Sequence, residues 1–184
     1  IWFSVPSTAW LVDQQRGLSP GALAGLRLSL FCGEALPVEL VKRWSIAAPK
    51  SRIENLYGPT ELTLACTRYV WRGDELLDEC RNGIVPIGEP FPEMEIAILD
   101  EHGAEVTPGE PGELYMSGPQ TALGYFQSPE LTEQSFHEVE GRVGRFYKTG
   151  DLVLWPMKNS SLQYLGRLDH QIKIRGNRVE LGEV

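Results

Sequence analysis

The chain has 184 residues, which is enough for one sizeable hydrophobic core or for one domain and part of another. Hydrophobic residues make up 42% and charged residues 23%, as is ordinary for a globular domain in water. The net charge of −8 and the lack of a Lys/Arg cluster argue against a nucleic-acid partner, and no apolar run is long enough to predict a membrane partner.

The first half of the sequence alternates strand and helix patterns. Residues 1–5 predict a short apolar strand that ends at Pro6, and Ser7 is the expected N-cap of the helix that follows. A second strand over residues 26–32 ends in a tight loop, and Pro37 suits the first turn of the next helix. This alternation predicts an α/β sheet, in which ligands bind at the carboxyl ends of the strands.

The third strand, residues 53–56, leads into the segment Asn-Leu-Tyr-Gly-Pro-Thr-Glu at positions 55–61. Gly58 and Pro59 force a turn, because glycine frees the backbone and proline removes an N–H donor. The turn delivers the Tyr57 ring, the Thr60 hydroxyl and the Glu61 carboxylate within five residues. Such a loop could stack a flat heterocycle, hydrogen-bond a phosphate and bind Mg²⁺, although a plain surface turn would look similar.

The second half of the sequence predicts mainly β-structure, with closely spaced turns. Strands are expected at residues 62–71, 94–98, 112–117 and 162–165, a short helix at 128–136, and a further strand after the segment 147–152 that leads into it. We divide the chain into an α/β part over residues 1–75, a β-rich part over 76–165, and a hinge with the start of another lobe over 166–184.

The sequence is expected to be a fragment of a longer protein. It lacks an initiator Met, and its first and last residues look like the interior of structural elements. Cys32, Cys66 and Cys80 are scattered without CxxC spacing, which favours reduced thiols and a cytoplasmic location.

Four segments in this order resemble the core motifs of adenylate-forming enzymes, specifically the adenylation domains of nonribosomal peptide synthetases. They are NLYGPTE at 55–61, GELYMSGPQTALGYF at 112–126, YKTGDL at 147–152 and GRLDHQIKIRGNRVELGEV at 166–184. Residues 31–37 and 124–133 are also similar to the D-alanine–carrier protein ligases of the same superfamily. The resemblance implies an α/β part followed by a β-rich part. This is the N-terminal core of such an enzyme, a sheet with packed helices plus a distorted β-barrel, ending at the hinge.

The resemblance also implies roles for single residues. Tyr57 would stack on adenine, with Gly33, Glu34 and Ala35 as the facing wall, and Asn55 and Gly58 would belong to the same nucleotide site. Thr60 would contact phosphate, Glu61 would bind Mg²⁺, Asp151 would accept both ribose hydroxyls, Arg167 would contact ribose and phosphate, and Asp169 would be the hinge. Of these, Thr60, Glu61 and Arg167 are the expected catalytic residues. A carboxylate can accept two hydroxyls at once, and a guanidinium can neutralise phosphate charge, so the residue chemistry agrees.

The implied reaction is attack of a substrate carboxylate on the α-phosphate of ATP, which gives an acyl-adenylate and pyrophosphate. The acyl group would then pass to the thiol of a phosphopantetheinylated carrier protein. By the same resemblance, six small or apolar residues line the acyl pocket: Ser4, Leu30, Cys32, Leu56, Leu64 and Ala65. They favour a small or medium apolar amino acid such as alanine, valine or proline. The sequence contains neither the Gly-rich phosphate loop nor the catalytic Lys, so the remaining parts of the parent adenylation domain are expected partners.

Other interpretations remain open. Taken singly, Asp151 could be a turn residue, Arg167 and Asp169 a solvated surface pair, Tyr57 a core residue and Glu61 an exposed charge. Within enzymes the alternative is an acyl- or aryl-CoA ligase, and outside them it is a non-catalytic module that docks carrier proteins. Retention of Thr60, Glu61, Asp151 and Arg167 argues against the docking module, which has no need of these residues.

Overall fold

The structure is a computed structural model, which describes residues 1–155, 157, 160–169, 172–174 and 177–179. The side chains of residues 74–76, 172–174 and 177–179 lie outside this description. No helix within the described ranges is long and apolar enough to cross a membrane.

The first sheet has five strands in the order β1-β2-β3-β4-β5. Its strands are β1 (Trp2–Ser4), β2 (Leu28–Cys32), β3 (Arg52–Tyr57), β4 (Thr67–Val70) and β5 (Glu89–Pro90). The first three strands are parallel, whereas β4 and β5 add antiparallel at one edge. The parallel register pairs Cys32 with Leu56, so the carboxyl ends of β2 and β3 lie side by side. This arrangement brings the loops that follow both strands together.

Two helices connect the parallel strands and cover one face of the sheet. Helix α1 spans Pro6–Gln14 and helix α2 spans Val38–Ala47. Helix α2 buries the Trp44 ring against Phe31, at 5.2 Å between ring centroids, and the Trp44 indole donates to Ser29 Oγ at 2.9 Å. The core of this half therefore forms between the helices and the sheet, as the α/β pattern predicts.

The predicted cap at Ser7 is wrong. Helix α1 begins at Pro6, with Val5 in the capping position, and Ser7 lies inside the first turn. The Ser7 N–H and hydroxyl both donate to the Glu34 carboxylate, at 2.8 and 3.0 Å. A carboxylate from a neighbouring loop thus satisfies the N-terminus of the helix, where negative charge is favoured.

The second sheet is antiparallel and curls beside the first. Its strands are β6 (Glu95–Leu99), β7 (Pro111–Ser117), β8 (Phe136–Glu138), β9 (Arg145–Leu154) and β10 (Gln163–Arg167), with helix α3 at Pro129–Ser135. The strand order is β10-β9-β7-β6, and β8 pairs with β9. The register shifts near Tyr164 and near Leu114, and such irregularities bend and twist a sheet. A short antiparallel pair, β11 (Ile172–Ile174) and β12 (Asn177–Val179), follows within the predicted segment 166–184.

The two sheets share a hydrophobic core. Tyr57, Leu62 and Cys66 from the first half pack in one cluster with Leu114 and Met116 from β7. A backbone hydrogen bond from Ile87 to Leu162 at 2.9 Å joins the halves as well. The loop after β3 therefore lies at the junction of the two sheets.

The single strand predicted over residues 62–71 is wrong in its first part. The chain forms a 3-10 turn at Thr60–Leu62, and then Thr63 and Leu64 adopt left-handed conformations with φ of 56° and 76°. Strand β4 starts only at Thr67. The apolar residues that suggested a strand here lie in a tight loop. Its conformation depends on contacts with Gln120, which is distant in the sequence.

Candidate active site

The candidate site is a cavity of about 380 Å³ at the carboxyl ends of β1, β2 and β3. Its walls come from both sheets. They are formed by Phe3, Ser4, Val5, Cys32, Gly33, Gly58, Pro59, Thr60 and Leu64 on one side, and by Thr149, Asp151 and Arg167 on the other. Residues that lie up to 164 positions apart in the sequence thus enclose one space.

Asp151 is the buried acceptor at the centre of this cavity wall. Asp151 is 3% exposed, and one of its carboxylate oxygens accepts a 2.5 Å hydrogen bond from the Tyr57 hydroxyl. The other oxygen accepts from Arg167 Nη1 at 2.9 Å. Burial raises the pKa of Tyr57 well above its usual value, and the Asp151 charge raises it further. Tyr57 is therefore a neutral donor that fixes the orientation of the carboxylate.

Arg167 connects Asp151 with the predicted hinge residue. Its Nε donates to Asp169 Oδ1 at 2.7 Å, and its Nη2 donates to Asp169 Oδ2. Burial alone would lower the pKa of Arg167, but Asp169 and Asp151 outweigh it and raise that pKa, so the guanidinium is always charged. A Cβ on Gly150, whose φ is +73°, would lie 2.6 Å from Arg167 Nη2 and 2.8 Å from Asp169 Oδ2. A glycine at this position therefore makes room for the ion pair.

A second, small cavity of about 30 Å³ lies behind the loop after β2. It is lined by Gly33, Glu34, Ala35, Asn55, Leu56, Tyr57, Gly58, Ile84, Val85, Ile87 and Tyr164. This set contains the four residues for which the resemblance implies adenine contact, together with Asn55 and Gly58. In this structure the space is far too small for a heterocycle, so the residues around it would have to move apart to admit one.

Asn55 lines this second cavity and carries a buried acceptor. Its amide nitrogen donates to the carbonyls of Val85 and Pro86, at 3.3 and 2.9 Å. Its Oδ1 is buried and has no hydrogen-bond partner among the described residues. A buried acceptor without a partner is costly, so a donor from a ligand or from water would be favoured here.

Glu61 is buried, at 9% exposure, rather than an exposed surface charge. Its Oε1 accepts a hydrogen bond from the Tyr125 hydroxyl at 2.6 Å. It lines a third cavity of about 590 Å³, which also contains Lys148, Gly150, Arg167 and Asp169. Thr149 and Arg167 line both this cavity and the first one, so the two spaces lie on either side of the same residues.

The residues present fit a magnesium ion in one limited way. Across the described ranges, no group of three or more His, Cys, Asp or Glu side chains could hold a metal ion. Mg²⁺ in nucleotide sites, however, is commonly bound by one or two carboxylates together with substrate phosphates and water. Glu61 offers one such carboxylate, already oriented by Tyr125.

The six residues predicted for the acyl pocket fall in three different places. Ser4, Cys32 and Leu64 line the 380 Å³ cavity, and Leu56 lines the 30 Å³ cavity. Ala65 is buried at 8% exposure, and Leu30 lies in β2 opposite Phe3 and Glu54. Neither Leu30 nor Ala65 is in the described wall of these two cavities. Their assignment to the acyl pocket stays a prediction.

Two residues near the site received no role from the sequence. Tyr125 orients Glu61, and Gln120 donates to the carbonyl of Ala65 at 2.9 Å. Both lie in the second motif, which marked the segment but gave no indication of what its side chains touch.

Comparisons with known proteins identify the family to which this fold belongs. The sequence profile of the AMP-binding enzyme family matches residues 1–126, and the chain belongs to that family. It is 40% identical, over all 184 residues, to a D-alanine–D-alanyl carrier protein ligase of Bacillus cytotoxicus, of which it covers 35%. The predicted family is therefore confirmed.

Solved structures support the fold. The chain superposes on the Vibrio cholerae adenylation domain AlmE in complex with glycyl-adenosine-5'-phosphate, with a TM-score of 0.86 and 40% identity over 99% of this chain and 34% of that chain. It also superposes on PA1221, an NRPS protein containing adenylation and PCP domains, with a TM-score of 0.85 and 34% identity over 98% of this chain and 30% of that chain. These matches confirm the predicted fold class. The chain spans about a third of the length of the curated relatives that it matches.

Proposed function

We propose that this chain supplies the nucleotide- and acyl-binding core of an amino-acid-adenylating enzyme. The parent enzyme is the longer protein, similar in length to the relatives, that contains these 184 residues. It converts ATP and an amino acid to aminoacyl-AMP and pyrophosphate, and then transfers the aminoacyl group to a carrier protein. The observation that carries this proposal is the buried Asp151 carboxylate, held by Tyr57 and Arg167 in the wall of a strand-end cavity.

The nucleotide would be held by residues of both sheets. Asp151 accepts the two ribose hydroxyls, because a carboxylate has about four acceptor sites and can serve them in addition to Tyr57 and Arg167. Tyr57 stacks on adenine, opposite residues 33–35. The buried Oδ1 of Asn55 accepts from a donor on the base, which satisfies an atom that has no other partner in the described part of the chain.

The reacting phosphate needs positioning and charge neutralisation more than covalent help. A substrate carboxylate oxygen forms a bond to the α-phosphorus while the bond to pyrophosphate breaks. Arg167 is a cationic side chain that lines the cavity, and Thr60 lines the same space, where its hydroxyl would donate a hydrogen bond to phosphate. Mg²⁺, bound through Glu61, would supply further positive charge against the phosphates.

The amino acid would occupy the part of the 380 Å³ cavity that is walled by Phe3, Ser4, Cys32 and Leu64. These residues carry no charge, so we propose a small apolar amino acid. The names of two relatives point the same way, since one acts on D-alanine and the other was solved with a glycyl-adenylate.

The partners follow from the same relatives. The name of the Bacillus cytotoxicus ligase includes a carrier protein, and PA1221 contains adenylation and PCP domains. We propose a phosphopantetheinylated carrier protein as acceptor and a cytoplasmic site of action. Asp169 would be the hinge in the segment 166–184, which connects the core over residues 1–165 with the start of another lobe. The pairing of Asp169 with Arg167 would then link hinge movement to the nucleotide site.

ATP–pyrophosphate exchange by the parent enzyme tests this proposal. We expect exchange that depends on a small apolar amino acid and on Mg²⁺, and no exchange with aryl acids. Exchange with aryl or fatty acids, followed by transfer to coenzyme A, would identify a CoA ligase instead. A folded protein that exchanges with none of the acids and still binds carrier protein would be a docking module, and the proposal would fail.

Substitution of Cys32 by tryptophan tests the acyl side of the cavity. Cys32 is buried at the end of β2, so an indole there should fill the acyl side of the cavity. We expect the amino-acid KM to rise by roughly 10- to 100-fold, which corresponds to the usual energetic cost of inserting extra atoms into a packed site. The KM for ATP should stay within about threefold. The converse variant, Cys32→Ala, should admit a slightly larger acid.

The matched control is Leu123→Trp, because Leu123 is 96% exposed and can accept the same bulk without penetrating the core. Circular dichroism checks that Cys32→Trp is folded. If folded Cys32→Trp activates the native acid at the wild-type rate, Cys32 does not line the acyl pocket.

A further inference from the structure

The loop from Thr60 to Ala65 has a backbone that its sequence does not favour. Thr63 and Leu64 are consecutive residues with φ of 56° and 76°. β-Branched and bulky residues rarely adopt this left-handed backbone conformation, and it persists only where the surrounding structure holds it. Leu64 is 59% exposed, so its own packing does not hold the loop.

The side-chain amide of Gln120 lies against this loop. Its Nε2 donates to the carbonyl of Ala65 at 2.9 Å, with longer contacts of 3.4 Å to the carbonyls of Leu62 and Thr63. In return the Thr63 hydroxyl donates to the backbone carbonyl of Gln120 at 2.9 Å. One amide group therefore faces the three carbonyls that surround the left-handed turn.

The same segment holds the loop at a second point. The backbone N–H of Ala122 donates to the carbonyl of Glu61 at 2.8 Å. The Tyr125 hydroxyl donates to the Glu61 carboxylate. Residues 120–125, which follow β7, thus hold both ends of the loop through hydrogen bonds that join positions about 60 residues apart in the sequence.

We infer that Gln120 is a positioning residue that sets the substrate selectivity of the acyl cavity without touching the substrate. It fixes the turn at Thr63 and Leu64, and Leu64 lines the cavity beside Cys32. The thiol of Cys32 contacts the Leu64 carbonyl at 3.7 Å, so a shift of this turn changes the acyl wall directly. The identity of the ligand in this cavity rests on the proposed function, whereas the contact between Gln120 and the loop does not.

The effect should fall on the amino acid rather than on ATP. Asp151 and Arg167, the proposed ribose and phosphate contacts, belong to β9 and β10 and not to the turn. Thr60 and Glu61 precede the turn, and the hydrogen bonds from the Ala122 N–H and the Tyr125 hydroxyl that hold Glu61 do not involve the Gln120 side chain. A residue with a general structural role would instead weaken both substrates or lower the amount of folded protein.

The test is Gln120→Glu in the parent enzyme. This change keeps the shape of the side chain and replaces the amide donor by a carboxylate, which would repel the three carbonyls. We expect an increase of about tenfold in the amino-acid KM, on the scale of one lost, partly buried hydrogen bond with added repulsion. We also expect weaker discrimination between amino acids of different size, with the KM for ATP within about twofold.

Two further variants complete the comparison. Gln120→Met removes the donors without adding charge, so it should show a smaller change in the same direction. Gln127→Glu makes the same charge change at an exposed position two residues beyond the segment 120–125 and should behave as wild type.

Hydrogen–deuterium exchange of peptides covering residues 60–66 provides a readout that does not depend on activity. Faster exchange in Gln120→Glu than in Gln127→Glu, together with the KM split, supports the inference. Equal exchange in the two variants, or equal loss for amino acid and ATP, overturns it. If the wild-type enzyme shows no pyrophosphate exchange, the proposed function fails. The hydrogen–deuterium exchange of residues 60–66 still decides whether Gln120 holds the loop.

Discussion

Replacement of Asp151 by alanine is expected to lower kcat/KM for ATP by roughly 10²- to 10³-fold. The loss has two parts. The two ribose hydroxyls lose their acceptor, which costs about 1–3 kcal/mol for donors left unmet. Arg167 also loses one of the two carboxylates that hold it at the phosphates, and an interaction aimed at the reacting phosphate is worth a comparable amount.

The alanine variant should also be less stable. The Tyr57 hydroxyl and Arg167 Nη1 would both lose the Asp151 carboxylate as acceptor, at a site where Asp151 is 3% exposed. Removing one member of a buried ion pair leaves the other charge uncompensated, at a cost of about 3–5 kcal/mol, although Asp169 offsets part of this. Thermal denaturation with and without AMP separates the two effects, because a binding defect removes the stabilisation by AMP whereas a folding defect lowers both midpoints.

Two comparisons sharpen the Asp151 experiment. Asp151→Asn keeps the size and one acceptor oxygen, so its loss should be smaller than that of the alanine variant. Asp78→Ala removes an exposed aspartate and should change neither ATP use nor stability by more than about 0.5 kcal/mol. Wild-type ATP kinetics in folded Asp151→Ala would remove the ribose assignment.

The parts of the site that could be predicted from sequence are those that a local motif fixes. The turn after β3 follows from Gly58, where a Cβ would lie 2.8 Å from the Ala65 Cα and so could not be accommodated. Asp151 follows a left-handed glycine in β9, and the motif around it marks that position. In both cases a few adjacent residues determine the backbone, and the backbone determines which side chain faces the cavity.

The partners of these side chains could not be predicted in the same way. Tyr57 and Asp151 are 94 positions apart, and Ser7 and Glu34 are 27 apart, yet each pair is hydrogen-bonded. Hydrophobic periodicity reports which face of an element is buried, but not which polar groups meet when two sheets come together. The wrong strand at residues 62–71 has the same cause, because Gln120 is 55 positions from the carbonyl that it holds.

The 184-residue chain on its own is expected to show no detectable adenylation. Its sequence contains neither the Gly-rich loop that would hold the β- and γ-phosphates nor the Lys that would neutralise charge on the reacting phosphate. Each transition-state contact of this kind is worth on the order of 10²–10³ in rate, so the loss of two predicts a decrease of about 10⁴- to 10⁶-fold.

The chain should also associate through its first sheet. Strand β1 is at the edge of that sheet, and Ile1 and Phe3 are 78% and 53% exposed. An edge strand offers unpaired backbone groups to another strand, so either a second copy or the remaining parts of the parent enzyme should pair there. Analytical ultracentrifugation of the purified chain is expected to show oligomers, and these should disappear when the complementary parts are added.

Complementation decides between an incomplete site and an inactive one. Pyrophosphate exchange is measured for the chain alone, for the chain mixed with the separately produced remaining parts, and for the same mixture made with Asp151→Ala. We expect activity only in the wild-type mixture, because the chain contributes the ribose contact and its partners contribute the phosphate loop and the Lys. Robust exchange by the chain alone would show that these two contacts are dispensable, and the assignment of charge neutralisation to groups outside the 184 residues would then be wrong.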